Sequence, residues 1–419
     1  MTFLAAHSYG SPVAATPPGI AAIQRGLMWM IGAGGAIVFI EPSPYELATL
    51  TGIVIFFSTG MRMRPVFIPL LVLLVVMNLG YTICSAYLID KSEIVNWILT
   101  SWYMAVTVVF FAMALSEDTS SRLDALRRGL IVGGVIASVA GVAGYFRLVP
   151  GGHDLLTLYD RARGTFKDPN VLGAFLILPA LFVLQSVVTE RFWKSARSAV
   201  ALGIISLAIL LAFSRASWGQ LAGCSAFMLL LMYMTSETKP QRRRIVLTAL
   251  AAVAAAALML AVLLSISSIA DLFVQRASFN QTYDGGRFGR FGRHVLGFQM
   301  ALELPLGIGP LQFTKYFPQD THNSFLNAFM SGGWIAGICF PALIFITVIF
   351  GFKLIFVRVP WQRMYLAVFS AFMGTVGEAF IIDVDHWRHF WMMLGAMWAM
   401  FAAAHAYRKN KTNAETSLA

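Results

Sequence analysis

Apolar runs of membrane length recur along this 419-residue sequence and constrain its fold more than any other feature. Each run holds roughly 15 to 25 residues, and about 20 apolar residues are enough to cross a bilayer as a helix. The sequence is 58% hydrophobic and only 12% charged, whereas about a quarter of the residues in a soluble domain are charged. The runs also lack the alternation of apolar and polar residues that marks the strands of a membrane barrel. The sequence therefore predicts an all-α integral membrane protein.

The apolar runs predict about twelve transmembrane helices in a single polytopic membrane domain that comprises residues 1–419. Residues 267–321 form the longest stretch without such a run, so we predict one large loop there. The predicted spans cover residues 22–40, 45–60, 65–87, 94–115, 129–147, 170–188, 198–213, 218–235, 245–266, 324–350, 364–382 and 390–406.

Lysine and arginine are divided unevenly between the two alternating sets of connections. One set, which includes both terminal segments, holds 19 of the 31 basic residues, and each of its connections is basic. Cytoplasmic connections carry an excess of Lys and Arg, so we place this set and both termini in the cytoplasm. The net charge of +11 then reflects topology and contact with anionic membrane lipids, and no nucleic-acid partner is expected.

The large loop 267–321 falls on the opposite, outer side in this topology. From residue 293 to residue 304 its pattern becomes helical, with Val295, Phe298 and Leu302 on one stripe. This pattern predicts a short amphipathic helix that lies at the outer membrane interface and is stopped by Pro305.

The three cysteines all lie within predicted spans. They form neither a disulfide framework nor a set of metal ligands, and we expect small apolar packing residues. They are Cys84, Cys224 and Cys339.

Arginines are concentrated on the outer side, where positive charge is usually scarce. Arg287, Arg290 and Arg293 follow one another at three-residue spacing in the large loop, and Arg215 stands in a tight turn between two spans. Arginine forks bind phosphate oxygens in a bidentate way, and several together can hold a diphosphate. The alternative is that these side chains contact lipid headgroups.

A histidine stands where the large loop re-enters the membrane. His322 can accept or donate a proton near neutral pH, because the ordinary pKa of histidine is about 6.5. The alternative is a structural role for His322, such as a helix cap or an interfacial hydrogen bond. Its neighbour Asn323 precedes a predicted span that is almost purely apolar.

Further polar residues flank the outer ends of the predicted spans. Asp168-Pro169-Asn170 has the pattern of a helix N-terminus, whose free amide groups favour a nearby anion. The alternative is a capped helix with interfacial arginines. In the last outer loop a metal site is conceivable, but we expect the acidic and basic residues there to pair with one another. The predicted supporting residues are Arg161, Arg163, Lys167, Asn170, Asn323, Asp383 and Asp385.

Ionisable residues inside the predicted spans are few. Glu378 is the clearest, and an ionisable group at that depth indicates a functional role. The sequence has no ladder of acids along several spans, which weakens the alternative of an ion-coupled transporter or a flippase of lipid-linked glycans.

Four segments resemble the bacterial O-antigen ligase and O-antigen polymerase family, over about residues 160–345. They are Lys167-Asp168-Pro169-Asn170, Phe213-Ser214-Arg215-Ala216, the arginine segment that runs into Pro305-Leu306-Gly307-Ile308-Gly309, and His322-Asn323-Ser324-Phe325-Leu326 followed by Gly332-Gly333-Trp334-Ile335-Ala336-Gly337.

The resemblance implies an enzyme that transfers a glycan from undecaprenyl diphosphate at the periplasmic face of the bacterial inner membrane. It implies no nucleotide sugar, no metal and no cofactor. The acceptor would be a saccharide, either the lipid A-core of lipopolysaccharide or a growing O-antigen or exopolysaccharide chain, so ligase and polymerase both stay open.

The resemblance also assigns roles to particular residues. Arg215, one of Arg290 or Arg293, and His322 occupy the family's functional positions. The loop is short and lacks the family's usual Arg followed by Trp, so the second arginine is not fixed. We therefore predict that His322 and Arg215 are catalytic and that Arg215, Arg287, Arg290 and Arg293 bind the diphosphate of an inverting, metal-independent glycosyltransferase. Whether His322 removes the acceptor's proton or binds the diphosphate stays open.

Overall fold

The computed structural model describes residues 17–278 and 284–418, with only the helical backbone for residues 411–418. Over these residues the chain is mainly helical, with one short antiparallel hairpin. The elements are α1 (Pro18–Gly34), α2 (Pro44–Ser58), α3 (Ile68–Cys84), α4 (Ser92–Ser116), α5 (Thr119–Tyr145), α6 (Gly152–Leu156), β1 (Thr157–Leu158), β2 (Arg161–Ala162), α7 (Pro169–Thr189), α8 (Phe192–Leu211), α9 (Arg215–Thr235), α10 (Lys239–Leu264), α11 (Ser267–Ala277), α12 (Arg290–Glu303), α13 (Ser324–Leu354), α14 (Gln362–Glu378) and α15 (Arg388–Leu418).

The all-α membrane class predicted from the sequence agrees with these elements. Within the described residues, eight helices are long and apolar enough to cross a membrane: α3 with the 3-10 turn before it, α4, α5, α7, α8, α9, α10 and α13. The four other predicted spans coincide with helices α1, α2, α14 and α15. Twelve crossings therefore stay a prediction. Helices suit these segments because lipid offers no hydrogen bonds, so each backbone group must be satisfied within its own segment.

Helix α7 lies at the centre of the bundle and α10 at its edge. Nearly every residue of α7 is buried, whereas α10 buries only Ile245 and Leu263. The Asp168 carboxylate caps the first turn of α7 by accepting a hydrogen bond from the Asn170 amide at 2.7 Å. The helix start predicted at Asp168-Pro169-Asn170 is therefore confirmed.

Small residues let α1 and α5 pack backbone to backbone. A Cβ at Gly129 would lie 2.1 Å from the carbonyl oxygen of Trp29, so only glycine fits there. Close approach of this kind is a common source of helix association in membranes, where the hydrophobic effect does not drive it. Of the cysteines, Cys84 and Cys224 are buried, Cys339 is partly buried, and all three are free.

Polar contacts join the helix connections into two groups, one at each end of the bundle. At one end, Arg122 donates to Gln24 Oε1 at 2.7 Å and Arg358 pairs with Glu237 at 2.8 Å. At the other end, Lys167 pairs with Glu41. We call this second end the Arg215 end, because Arg215 stands on it at the start of α9. These contacts join connections that the charge pattern places on the same side. Which end faces the periplasm stays a prediction.

The large loop 267–321 contains two helices. The predicted amphipathic helix is α12, which begins three residues earlier than its apolar pattern indicates. Its stripe of Val295, Phe298 and Leu302 is exposed on the protein surface. Helix α11 was not predicted, and residues 279–283 lie outside the described part of the loop.

Helix α13 is broken, whereas the apolar run predicted one continuous span over residues 324–350. Gly333 adopts φ 60° and ψ −161°, and a Cβ on it would lie 2.3 Å from the carbonyl oxygen of Pro305. The Trp334 amide donates to that carbonyl at 2.8 Å, and the Ile308 amide donates to Met330 O at 2.7 Å. The segment after α12 therefore packs into the break and satisfies the backbone groups that the break releases. It also fixes the short half-helix that follows His322.

Candidate active site

Asp383 organises the segment that carries His322. Its Oδ1 accepts hydrogen bonds from the Thr321 hydroxyl at 2.8 Å and the Asn323 amide at 2.9 Å. Its Oδ2 accepts from the His322 amide at 3.0 Å. One carboxylate from the connection between α14 and α15 thus holds three consecutive residues ahead of α13.

His322 is held in an unusual backbone conformation. Its φ is +46°, in the left-handed region that residues other than glycine rarely adopt. Asn323 then caps α13, because its Oδ1 accepts from the Leu326 amide at 3.0 Å while its Nδ2 donates to Phe380 O. Strain of this kind persists only where surrounding contacts over-determine it, and it clusters at functional sites.

The charges around His322 favour its neutral form. Burial, followed by the guanidinium groups of Arg290 and Arg293, lowers the pKa of His322 below its usual range. His322 Nδ1 lies 3.8 Å from Asp383 Oδ2, which is too far for a hydrogen bond. Burial and the carboxylates of Asp385 and Asp320 raise the pKa of Asp383 to about 7. A neutral imidazole can accept a proton at neutral pH.

Arg215 and Arg290 converge on one carboxylate. Arg215 Nη2 donates to Asp284 Oδ2 at 2.8 Å, and Arg290 Nε lies 3.3 Å from Asp284 Oδ1. Arg215 Nη1 also donates to Ser278 O at 2.9 Å. Two arginines from different elements thus engage a single anionic group at the Arg215 end.

Arg293 is buried with most of its hydrogen-bonding capacity unused. Its side chain is only 2% exposed, and Nη1 donates to Phe288 O at 2.9 Å. Among the described residues, its Nε and Nη2 have no hydrogen-bond partner. Burial and the charge of Arg290 lower the pKa of Arg293. Buried cationic donors without partners are costly, and an anionic ligand would satisfy them.

The remaining basic residues of α12 and the turn before it differ in placement. Arg287 is exposed, and its guanidinium lies 5.6 Å from the ring centre of Phe288. His294 Nε2 lies 3.0 Å from Thr321 O, a hydrogen bond that ties α12 to the His322 segment. The structure therefore brings Arg290 and Arg293 close to His322 and links Arg215 to Arg290 through Asp284, but it leaves Arg287 at the surface.

The supporting residues ahead of α7 are engaged by the protein itself. Arg161 is buried, with Nε donating to Ala212 O and Nη2 donating to Asn170 Oδ1, both at 2.7 Å. Arg163 donates to Asp154 O and Leu155 O. These contacts hold the hairpin and the turn before Arg215, so Arg161 and Asn170 position α9 through that turn.

Asp385 stands apart from Asp383 and makes different contacts. Its Oδ2 accepts from Asn327 Nδ2 at 3.0 Å and lies 3.0 Å from His386 Nδ1. Arg388 pairs with Glu46 rather than with either aspartate. The pairing expected within the last connection is thus present for Asp385 and His386 but not for Arg388.

Asp284 was not among the site residues predicted from the sequence. It is the one acidic residue in the basic segment 276–293, and that isolation is the signal that could have identified it. Gln220 was also missed. Its Nε2 donates to Glu378 Oε2 inside the bundle, so the buried acid noted in the sequence has a partner on α9.

A comparison with protein families supports the resemblance seen in the sequence. Residues 200–340 match the family model described as O-antigen ligase, which confirms that resemblance. The matched region contains Arg215, Asp284, Arg290, Arg293 and His322, whereas Asp383 lies beyond it. A comparison with curated proteins gave no match.

Proposed function

We propose that this chain, whose residues 200–340 carry an O-antigen ligase domain, transfers a glycan from undecaprenyl diphosphate to a saccharide acceptor. The proposed enzyme is an inverting glycosyltransferase that needs no metal. It acts at the periplasmic face of the bacterial inner membrane, which the Arg215 end would face. The favoured acceptor is the lipid A-core of lipopolysaccharide.

The observation that carries the proposal is the convergence of Arg215 and Arg290 on Asp284, beside the buried and partly unpaired Arg293. The Asp284 carboxylate shows that one anion can engage two of these arginines together. A diphosphate offers more oxygens and more charge than a carboxylate, so it can also satisfy Nε and Nη2 of Arg293. Charge-assisted bonds from arginine forks to phosphate are among the strongest in proteins.

The proposed reaction is a displacement at the anomeric carbon. The oxygen of an acceptor hydroxyl attacks that carbon and forms the new glycosidic bond. The bond from the carbon to the diphosphate oxygen breaks, and the leaving diphosphate keeps the electron pair. His322 takes the acceptor's proton, a role that its lowered pKa supports because the imidazole is neutral at pH 7. The arginines stabilise the charge that develops on the diphosphate in the transition state.

The acceptor separates a ligase from a polymerase of the same family. The test incubates the purified protein with a lipid-linked glycan donor and either lipid A-core or the free glycan as acceptor. Transfer to lipid A-core that is lost in Arg215→Ala supports the ligase. Chain elongation without transfer to the core would make the protein a polymerase, and no transfer to either acceptor would refute the proposed function.

The proposed orientation has its own test. Single cysteines at Asp90→Cys and Gly285→Cys should react with an impermeant thiol reagent in intact spheroplasts. Ser120→Cys and Thr238→Cys should react only after lysis. The reverse pattern would place the Arg215 end in the cytoplasm and contradict the periplasmic mechanism.

A further inference from the structure

A groove runs down the side of the bundle between α9 and α14. It has a volume of about 520 Å³. Arg215 lines its upper end, and Phe227 of α9 and Phe352 of α13 line its lower end. From residue 215 to residue 227, α9 rises about 18 Å, at 1.5 Å per residue. The groove is therefore long enough to reach from the Arg215 end well into a hydrocarbon core about 30 Å thick.

Four glycines line this groove and keep it open. Close helix packing does not require glycine at three of these positions. A Cβ added at Gly219, Gly223 or Gly377 would meet no atom of residues 17–278 or 284–418 within 4 Å. Gly374 differs, because a Cβ there would lie 2.2 Å from the sulfur of Cys224. Glycine is a poor helix former, so neither local conformation nor close packing explains the three open positions. Their shared effect is to leave space along the groove.

Two buried polar side chains near the upper end indicate what kind of ligand fits. Gln220 and Glu378 both line the groove and are 7% and 3% exposed. They bond to each other, yet no described residue forms a hydrogen bond with Oε1 of either side chain. Below them the lining is mainly apolar, with Phe227, Met373 and Phe352, and includes the hydroxyl residue Ser370. A ligand that satisfies the groove is therefore polar beside Arg215 and apolar further down.

We propose that this groove binds the first part of the polyprenyl chain of the lipid donor, with its diphosphate held at Arg215. The inference rests on the proposed function, since it assigns the tail of the donor whose head that function uses. The groove is continuous with Arg215, which already engages an anionic carboxylate. An amphipathic chain with an anionic head matches both the charge at the upper end and the apolar lining below it. The rest of the chain would extend into the bilayer.

The test fills the groove with side chains. Gly219→Leu and Gly223→Leu add bulk where the structure has open space, so both variants should fold. Gly203→Leu is the matched control, because Gly203 lies on α8, is exposed, and a Cβ there also meets no atom within 4 Å. Each purified variant is assayed with two donors that carry the same glycan diphosphate, one on undecaprenol and one on geraniol.

We expect the groove variants to raise KM for the undecaprenyl donor about tenfold. This factor corresponds to about two methylene groups of the lipid chain that are no longer buried in the groove. The KM for the geranyl donor should change less, most clearly in Gly223→Leu, because Gly223 lies about 12 Å along α9 from Arg215, toward the far end of so short a chain. Gly203→Leu should change neither KM. Equal KM values for the undecaprenyl donor in wild type, Gly219→Leu and Gly223→Leu would overturn the proposal.

A binding measurement separates this inference from the proposed function. Native mass spectrometry follows the binding of undecaprenyl diphosphate without glycan and of phosphatidylglycerol. Weaker binding of the polyprenyl lipid alone by Gly219→Leu and Gly223→Leu supports the groove even where wild type transfers no glycan. Equal weakening for both lipids would show that bulk phospholipid occupies the groove and would overturn the inference.

Discussion

Replacing Arg293 by methionine should stabilise the folded protein while abolishing glycan transfer. The substitution removes a guanidinium that is 2% exposed and has two nitrogens, Nε and Nη2, with no hydrogen-bond partner in the described part of the chain. Methionine keeps an unbranched side chain that is about as long as the apolar part of the arginine side chain. The two effects have opposite signs because one group causes both. The Arg293 guanidinium destabilises the fold when no anion is bound, and it is also the group that would bind the anion.

The magnitude follows from the contacts. Each unsatisfied buried donor costs about 1–3 kcal/mol, and the single hydrogen bond to Phe288 O contributes about 1 kcal/mol. A small cavity left by the shorter side chain offsets part of the gain. A net stabilisation of about 1–3 kcal/mol is consistent with replacements of buried charges by apolar residues. Loss of one anion-stabilising donor should lower kcat by about 10²–10³-fold.

The assay measures apparent Tm and glycan transfer on the same purified sample. Arg293→Met should raise Tm by about 2–4 °C. Undecaprenyl diphosphate should raise the Tm of wild type and have little effect on the variant, because only a bound ligand stabilises. Arg161→Met is the matched control, since Arg161 is also buried but its Nε and Nη2 are both bonded. That control should lower Tm.

One result would refute this reasoning about Arg293. If Arg293→Met lowered Tm as much as Arg161→Met and the lost activity followed the folded fraction, Arg293 would be a structural residue like Arg161.

Four other predictions concern the same site. Arg215→Lys keeps the charge but loses the bidentate fork, so it should lose most of the transfer rate. Arg215→Ala should lose nearly all of it, and full activity of this variant would leave Arg215 as a headgroup contact. His322→Ala should insert normally but lose about 10²–10⁴-fold in kcat. Substantial activity in His322→Gln would indicate that His322 binds the diphosphate, since glutamine cannot accept the proton. Because burial and Arg290 lower the pKa of His322, the loss of kcat caused by protonation of His322 should come as the pH drops through that lowered pKa. Arg290→Gln should shift this loss to higher pH. Asp383→Asn can place an amide donor against the His322 amide and should lower kcat by about 10²-fold through misplacement. Its control, Asp320→Asn, removes a nearby carboxylate charge and changes a local bond to the Thr321 amide, but it keeps the three hydrogen bonds that Asp383 accepts. An equal loss in both variants would show that Asp383 has no special positioning role.

The sequence alone determined the helical class, the approximate positions of the helices and several helix starts. Each of these depends on local properties. A run of apolar residues must satisfy its own backbone hydrogen bonds in lipid, and Asp168 caps α7 through a residue two positions away. The stripe of α12 is likewise a local pattern, so its helix was predicted within three residues of its observed start. The placement of Arg215 and His322 beside helix starts follows from the same local signals.

Only the tertiary structure decided how the polar residues combine. Arg215 meets Asp284 across 69 residues of sequence, and Asp383 holds the His322 amide across 61. Apolar periodicity reports which residues are in a helix but not which helix ends meet, so the sequence could not separate the exposed Arg287 from the buried Arg293. The break in α13 was missed for the same reason, because Gly332 and Gly333 are compatible with a helix until another segment packs against them. Chemistry at this site depends on pairings between distant segments, and such pairings exist only once the bundle has assembled.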